Sequence, residues 1–370
     1  MAANGPQHIE QEQNLNNKRI VNEWMQEIAN STPDAVPAAL AKAYAKDSVW
    51  RGSHPLNEVA NIEELASSVW QPFLKSFTHL ERRDEILVGG RYRNKIGETR
   101  DLVAMVGHYV GTFRHDWLNI PATGQPVFIR YGEVHELQDG KIIRSSCIWD
   151  ILDVIRQAGF WPLPPSTGTE GLWLGPYTGD GLVFSAQDMD QGMASIAQTL
   201  AMHKTLGDYN NQEVDGRDGL LNMAQKEHWH EKMMWYGPSG IGTTRGLDGF
   251  VDFHQMPFRL AFPGRTGGQN LVEANPDKEM GHYIQIGDGP YSVTGGWPSV
   301  VSPHTGGMLF GVGPTNKNIE MRVMDFYLHH ENKIRENWVP IDVIHILLQM
   351  GVDVMARVRD QFSRNRLGLK

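Results

Sequence analysis

Two aspartates close apolar runs in this chain. In ENWVPID, residues 336 to 342, a tryptophan, two β-favouring aliphatic residues and a proline lead into Asp342; in SSCIWD, residues 145 to 150, a similar run ends on Asp150. A carboxylate held among apolar neighbours ionises less readily than a solvated aspartate, whose pKa is about 3.9, and so can act as a general base near neutrality. Each acid also precedes a segment of helical pattern, where it would suit an N-cap. The two roles are compatible.

The elements that must position these acids come from a repeat. Trp50 and Trp235 open the loops WRGSHP and WYGPSG, and Pro72 and Pro257 follow them in QPFLKSF and MPFRLAF, with a constant shift of 185 residues. Gly52 falls on Gly237, Leu65 on Phe250 and Phe77 on Phe262 by the same step. Further on the shift becomes 192, placing Arg130 on Arg322, Glu133 on Asp325, Lys141 on Lys333, Asp150 on Asp342 and Gly159 on Gly351. This ordered set reads as a tandem duplication, with copies at 15–162 and 191–365. Residues 1–14 read as a mobile polar arm, and 163–190 as a Pro/Gly-rich connector whose Leu172, Trp173, Leu174 and Tyr177 favour packing against one copy or both.

Each copy predicts helices first (about 17–46, and 192–208 with 217–226), a short strand into the tryptophan loop, and a second helix (61–77 and 246–262) kinked or ended at its proline. Strands follow, the last two forming a hairpin. With Asp139-Gly140 as a type I′ turn, Leu137 pairs with Ile142, Glu133 with Ser146 and Ile129 with Asp150. With Glu331-Asn332 at the second turn, Asp325 pairs with Trp338 and Met321 with Asp342. On this register Glu133 shares a face with Asp150, and Asp325 with Asp342, about 13 Å apart along the strand. Arg130 and Arg322 fall on the opposite face, as structural ion-pair partners.

Composition excludes several classes. The 370 residues carry 34 basic and 43 acidic side chains, a net charge of −9, with the basic groups scattered. No nucleic-acid or anionic-membrane partner is expected. Cys147 is the single cysteine, so no internal disulfide can form, and it reads as a small buried residue. No secretory pattern opens the chain and no run approaches roughly 18 apolar residues, so a cytoplasmic location is expected. The H-x-H of His228-Trp229-His230 lacks an evident third ligand, and IGTTRG at 241–246 lacks the lysine of a phosphate loop; no metal site is expected.

The stretches Gly140-Lys141-Ile142 through Asp150 with Gln157-Ala158-Gly159, and Asn332-Lys333-Ile334 through Trp338 and Asp342 with Gln349-Met350-Gly351, resemble the SnoaL-like polyketide cyclases, as does IPATGQ at 120–125. These belong to the superfamily of nuclear transport factor two and ketosteroid isomerase. The resemblance implies an α+β fold: two tandem cone-shaped domains, each a strongly curved antiparallel sheet wrapped by N-terminal helices, the pair acting as a pseudo-dimer, with further homo-oligomerisation left open. It implies aldol or isomerase chemistry without metal or organic cofactor on a small, hydrophobic, carbonyl-bearing ligand. The last-strand aspartate is then acid and base: Asp342, and Asp150 in the first copy. The first copy departs from the pattern, with Ser146 where Trp338 stands.

Around Asp342, the walls expected are Trp338, Val323 and Pro340. The oxyanion donors expected are His254, which HQMPF places on a helix facing the sheet, together with Tyr236, Trp235 and His282. Asp325, and in the first copy Trp50 and Glu133, complete the expected substrate contacts. Two other readings stay open: a non-catalytic binding or assembly protein, and a hydrolase whose aspartate activates water.

Overall fold

The computed structural model describes residues 4–94, 97–210, 216–264 and 279–366. It is a mixed α+β structure with two sheets. In the first half, β1 (Gly5–Gln7), α1 (Gln11–Ala29) and α2 (Val36–Ala43) precede β2 (Tyr44–Gly52) and β3 (Glu58–Val59). A broken helix follows: α3 (Ile62–Glu64), a π turn (Leu65–Trp70) and α4 (Gln71–Ser76). Then come β4 (Phe77–Arg93), β5 (Thr99–Phe113), β6 (Pro126–Gln138), β7 (Lys141–Trp149) and α5 (Ile151–Gln157).

The second half repeats this plan. It has α6 (Met189–Asn210), α7 (Gly216–Asn222), β8 (Trp229–Tyr236) and β9 (Thr244–Arg245), then α8 (Gly246–Phe250), a π turn (Val251–Gln255) and α9 (Met256–Ala261). β10 (Ile284–Asp288), β11 (Tyr291–Pro303), β12 (Asn318–His330), β13 (Lys333–Trp338), α10 (Val343–Gln349) and α11 (Val354–Arg366) complete it.

The strand orders are β1-β4-β5-β6-β7-β2-β3 and β10-β11-β12-β13-β8-β9, so apart from the edge strand β1 the sheets match position for position. Pairing is antiparallel except at β2/β7 and β8/β13, which are parallel and make each sheet mixed rather than purely antiparallel. The expected N-terminal arm is partly ordered, since Gly5–Gln7 pair with Arg91–Arg93. Pro72 and Pro257 do not end their helices. Each sits at the start of an α segment just after a π turn, whose wider hydrogen-bond spacing absorbs the missing N–H.

Both hairpins form at the expected turns, and Leu137 does pair with Ile142. A bulge then shifts the register by one in each copy, between Glu136 and Leu137 and between Leu328 and His329. Glu133 therefore lies opposite Cys147, and Phe326 opposite Trp338. A one-residue slip moves every side chain beyond it to the other face. Trp338 consequently shares the face of Phe326 rather than that of Asp325.

Two apolar faces result. One side of each sheet packs against its own helices. The other sides meet each other: Ile86, Val88, Leu102 and Ala104 from the first sheet cluster with Ile284, Ile286, Val293, Phe326 and Trp338 from the second. The connector joins this layer, with Trp173 buried against Tyr236 and the Leu174 carbonyl accepting from Trp338 Nε1 at 2.7 Å.

Polar contacts cross the same interface. Lys18 and Asp288, both within 1% of full burial, pair at 2.7 Å across the two halves, and Asp288 also accepts from the Gly89 amide at 2.9 Å. Among the described residues no helix is long and apolar enough to cross a membrane.

Candidate functional site

The aspartates that drew attention in the sequence sit at this interface. Asp342 caps α10, accepting from the His345 amide at 3.2 Å; its second oxygen accepts from the His54 amide of the other half at 2.9 Å and pairs with Arg322 at 3.0 Å. Asp150 repeats the pattern, accepting from Asp153 N at 3.0 Å and Ser239 N at 2.9 Å and pairing with Arg130 at 2.7 Å. His54 and Ser239 are related by the 185-residue step of the repeat, so the two contacts are equivalent. Burial raises the pKa of both acids, opposed by the arginines and the amide donors. Neither oxygen pair faces a ligand-sized space, because the bulge turned both acids onto the arginine face. Asp342 is thus a helix cap that pairs with Arg322 of its own half and accepts an amide hydrogen bond from the other half, and Asp150 likewise. Trp338, expected as a pocket wall, and Tyr236, expected as an oxyanion donor, stack on each other at 5.2 Å in the apolar layer between the sheets.

A mainly apolar space that a small molecule could enter lies on the other face of the second sheet. A cavity of about 140 Å³ is bounded by α6, the broken helix and strands β8, β11, β12 and β13. Met321, Val323, Asp325 and Tyr327 point into it from alternate positions of β12, as strand geometry requires. Asn337 and Val339 join them, with Trp229 and Trp235 from β8. The helices supply Met202, His203, Phe250, His254 and Phe258, and His282 precedes β10. The expected residues Trp235, His254, His282 and Asp325 therefore do meet in one site. His254 stacks on Trp235 at 4.0 Å and on Phe250 at 5.3 Å, which makes one wall a slab of flat rings.

Asp325 is the acid of this site. Burial drives its pKa up to about 7 against hydrogen bonds from Asn337 and Tyr327, and among the described residues no lysine or arginine lines the cavity to hold it down. His282 Nδ1 lies 3.8 Å from its carboxylate and 3.1 Å from Thr294 Oγ1. Tyr327 O–H is 2.8 Å from His203 Nε2, and the His203 and His282 rings meet at 4.7 Å. Burial, then the neighbouring His282, depresses the pKa of His203, so the ring is neutral. The group amounts to a carboxyl poised near neutrality with hydroxyl, amide and imidazole groups around it and apolar walls beyond. His203, Tyr327 and Asn337 were not expected. Tyr327 could have been found from its i+2 spacing to Asp325, whereas nothing in the helical pattern around His203 marks it.

The corresponding face of the first half is filled. Trp50 packs edge to face with Trp149 at 5.9 Å, and Phe73 and Tyr109 close on Trp149 at 4.8 and 5.2 Å. Glu133 lies inside this packing. Burial alone would raise its pKa, but Arg82 at 2.8 Å, His135 and the Trp149 indole N–H hold it at about 2. Trp50 and Glu133, expected as ligand contacts, are core residues. Among the described residues no group of three His, Cys, Asp or Glu side chains is placed to hold a metal ion.

No protein-family model matches the sequence, and no curated protein matches it. Solved structures that are similar include a candidate SnoaL-like polyketide cyclase from a Jannaschia species (19% identity, 42% of this chain and 100% of that one, TM-score 0.35). Others are IdmH, a candidate polyketide cyclase from Streptomyces antibioticus (18%, 38% and 98%, 0.31), and an NTF2-like protein from Burkholderia thailandensis (21%, 39% and 97%, 0.29). Each spans about two fifths of this chain, the size of one half. At TM-scores this low the likeness bears on neither the activity nor the site, and the fold stands on strand order and register.

Proposed function

We propose that the protein is a cofactor-independent cyclase, lyase or isomerase that uses Asp325 as acid and base on a small, hydrophobic, carbonyl-bearing molecule held in the second half. In this reading each half is a cone-shaped domain, the first running from about residue 15 to 162 and the second from about 191 to 365. The two pair back to back as a pseudo-dimer in which Asp150 and Asp342 are reciprocal clamps.

One observation carries the reading: a buried carboxyl with its pKa at about 7 faces a cavity with mainly apolar walls. A base of that strength takes a proton from carbon next to a carbonyl more readily than a solvated aspartate, yet is still half ionised at neutral pH. As the proton moves to Asp325, the C–H electron pair shifts into the carbonyl and charge develops on its oxygen. Tyr327 O–H and the Asn337 amide supply donors for that oxygen, and the Trp235–His254 slab orients the substrate. The neutral acid Asp325 then returns the proton.

The test requires no knowledge of the product. A panel of apolar aromatic and alicyclic ketones is incubated with the protein in D2O, and deuterium at the α-carbon is followed by NMR. Exchange is expected with the wild type, to fall by at least about 100-fold in Asp325→Asn, and to persist in Asp342→Asn. Equal exchange in Asp325→Asn and wild type overturns the assignment.

A second reading has a specific observation behind it. Asp325, Tyr327 and Asn337 could together hold and activate one water, which would make the protein a hydrolase. Epoxide opening without α-deuteration would favour it.

A further inference from the structure

We propose that the first half contains a guanidinium-binding site that the chain fills with its own Arg82, so that the face open as a cavity in the second half is closed in the first. The inference does not depend on the reaction proposed above.

The two sites can be aligned residue by residue with the shifts that relate the copies. The 192-residue step sets Tyr131 on Val323, Glu133 on Asp325 and Trp149 on Ile341, and the 185-residue step sets Trp70 on Gln255. Every second-half member of these pairs lines the cavity, and every first-half member is buried in the first core. The large rings thus account for much of the filling, but apolar filling leaves the acid unexplained. Unlike Asp325, Glu133 meets a full positive charge.

That charge is Arg82, on β4, whose side chain is wholly buried. Its guanidinium is met on every side. Nε donates to Asp84 at 2.9 Å, Nη1 to Glu133 at 2.8 Å and to the Tyr109 hydroxyl, and Nη2 approaches Met105 Sδ at 3.4 Å. The Tyr131 ring lies 4.3 Å from Cζ and the Tyr109 ring 5.2 Å. Two carboxylates set around the edge of a planar cation, with aromatic rings against it, constitute a receptor for guanidinium, and its occupant is covalently attached. Asp84 and Glu133 are each about 2% exposed, so without the guanidinium two carboxylates would share a site with little water.

The experiment empties the receptor and refills it. Arg82→Ala removes the head group, and methylguanidinium at low millimolar concentration replaces it, with urea as the neutral planar control and sodium chloride as the ionic one. The expected result is a saturable rise of several degrees in the unfolding midpoint of Arg82→Ala with methylguanidinium alone, and none in the wild type. If the variant does not accumulate folded, the readout becomes the yield of folded protein on refolding with and without methylguanidinium. Rescue supports the site; urea matching methylguanidinium, or no rescue at all, overturns it. A second measurement crystallises the wild type and exposes the crystal to xenon under pressure. Xenon is expected beside Trp235 and Met321 in the second half; xenon bound beside Trp149 would show a second open cavity and sink the proposal.

Discussion

Replacing Asp325 by asparagine should make the protein less sensitive to alkali, and the size of the effect follows from the site. In the unfolded chain the carboxyl titrates at about 3.9; in the folded protein burial moves it to about 7. The folded state therefore binds more protons than the unfolded state between those values. For a group whose folded pKa is the higher, stability is fully present below the unfolded pKa and is lost as pH rises through the folded one. A gap of roughly 3 pH units, at about 1.36 kcal/mol each, totals about 4 kcal/mol, of which roughly 3 kcal/mol falls between about pH 5 and pH 8.5. The asparagine side chain in the variant has no proton to lose in that range. Urea unfolding of wild type and Asp325→Asn at both pH values gives the result as a difference of differences, in which the other titrating groups cancel. The stability gap should move against the wild type by roughly 3 kcal/mol on going to the higher pH. A gap that stays constant within about 0.5 kcal/mol would refute the reasoning, because it would mean that Asp325 titrates alike in the two states.

Three further outcomes are expected. Asp342→Asn should cost about 1–3 kcal/mol in urea unfolding, from a weakened cap and a broken ion pair with Arg322, while leaving α-deuteration intact. Ile341→Trp, which copies Trp149 of the first half, should fill the cavity and abolish xenon binding beside Trp235 in the crystal. Lys18→Met should cost about 3–5 kcal/mol by leaving Asp288 charged and unpaired in the interface, and adding Asp288→Asn should recover much of the loss in the same unfolding assay.

The duplication was legible because both copies keep the same residues at fixed steps, and those steps survive as matching strand orders. The turns were legible as well: Asp139-Gly140 fixed the first residues of its hairpin, and Leu137 meets Ile142 as expected. The faces beyond the turns were not. A single extra residue in each last strand leaves no mark in composition or alternation, yet it turned Trp338 into the inter-sheet layer and brought Asp150 and Asp342 beside Arg130 and Arg322. Asp325 was on the expected list of ligand contacts, but its promotion over Asp342 needed that slip to be seen. The contrast between a filled and an open half was written in pairs such as Trp149 and Ile341. Reading it required knowing that both positions point inward.

The most direct test of this account is the titration of Asp325 itself. With aspartate carboxyls labelled with carbon-13, the Asp325 resonance, assigned by its absence from Asp325→Asn, is followed by NMR against pH in the folded wild type. A midpoint near 7 is the result predicted. A midpoint at or below about 4, the value of a solvated aspartate, would contradict it.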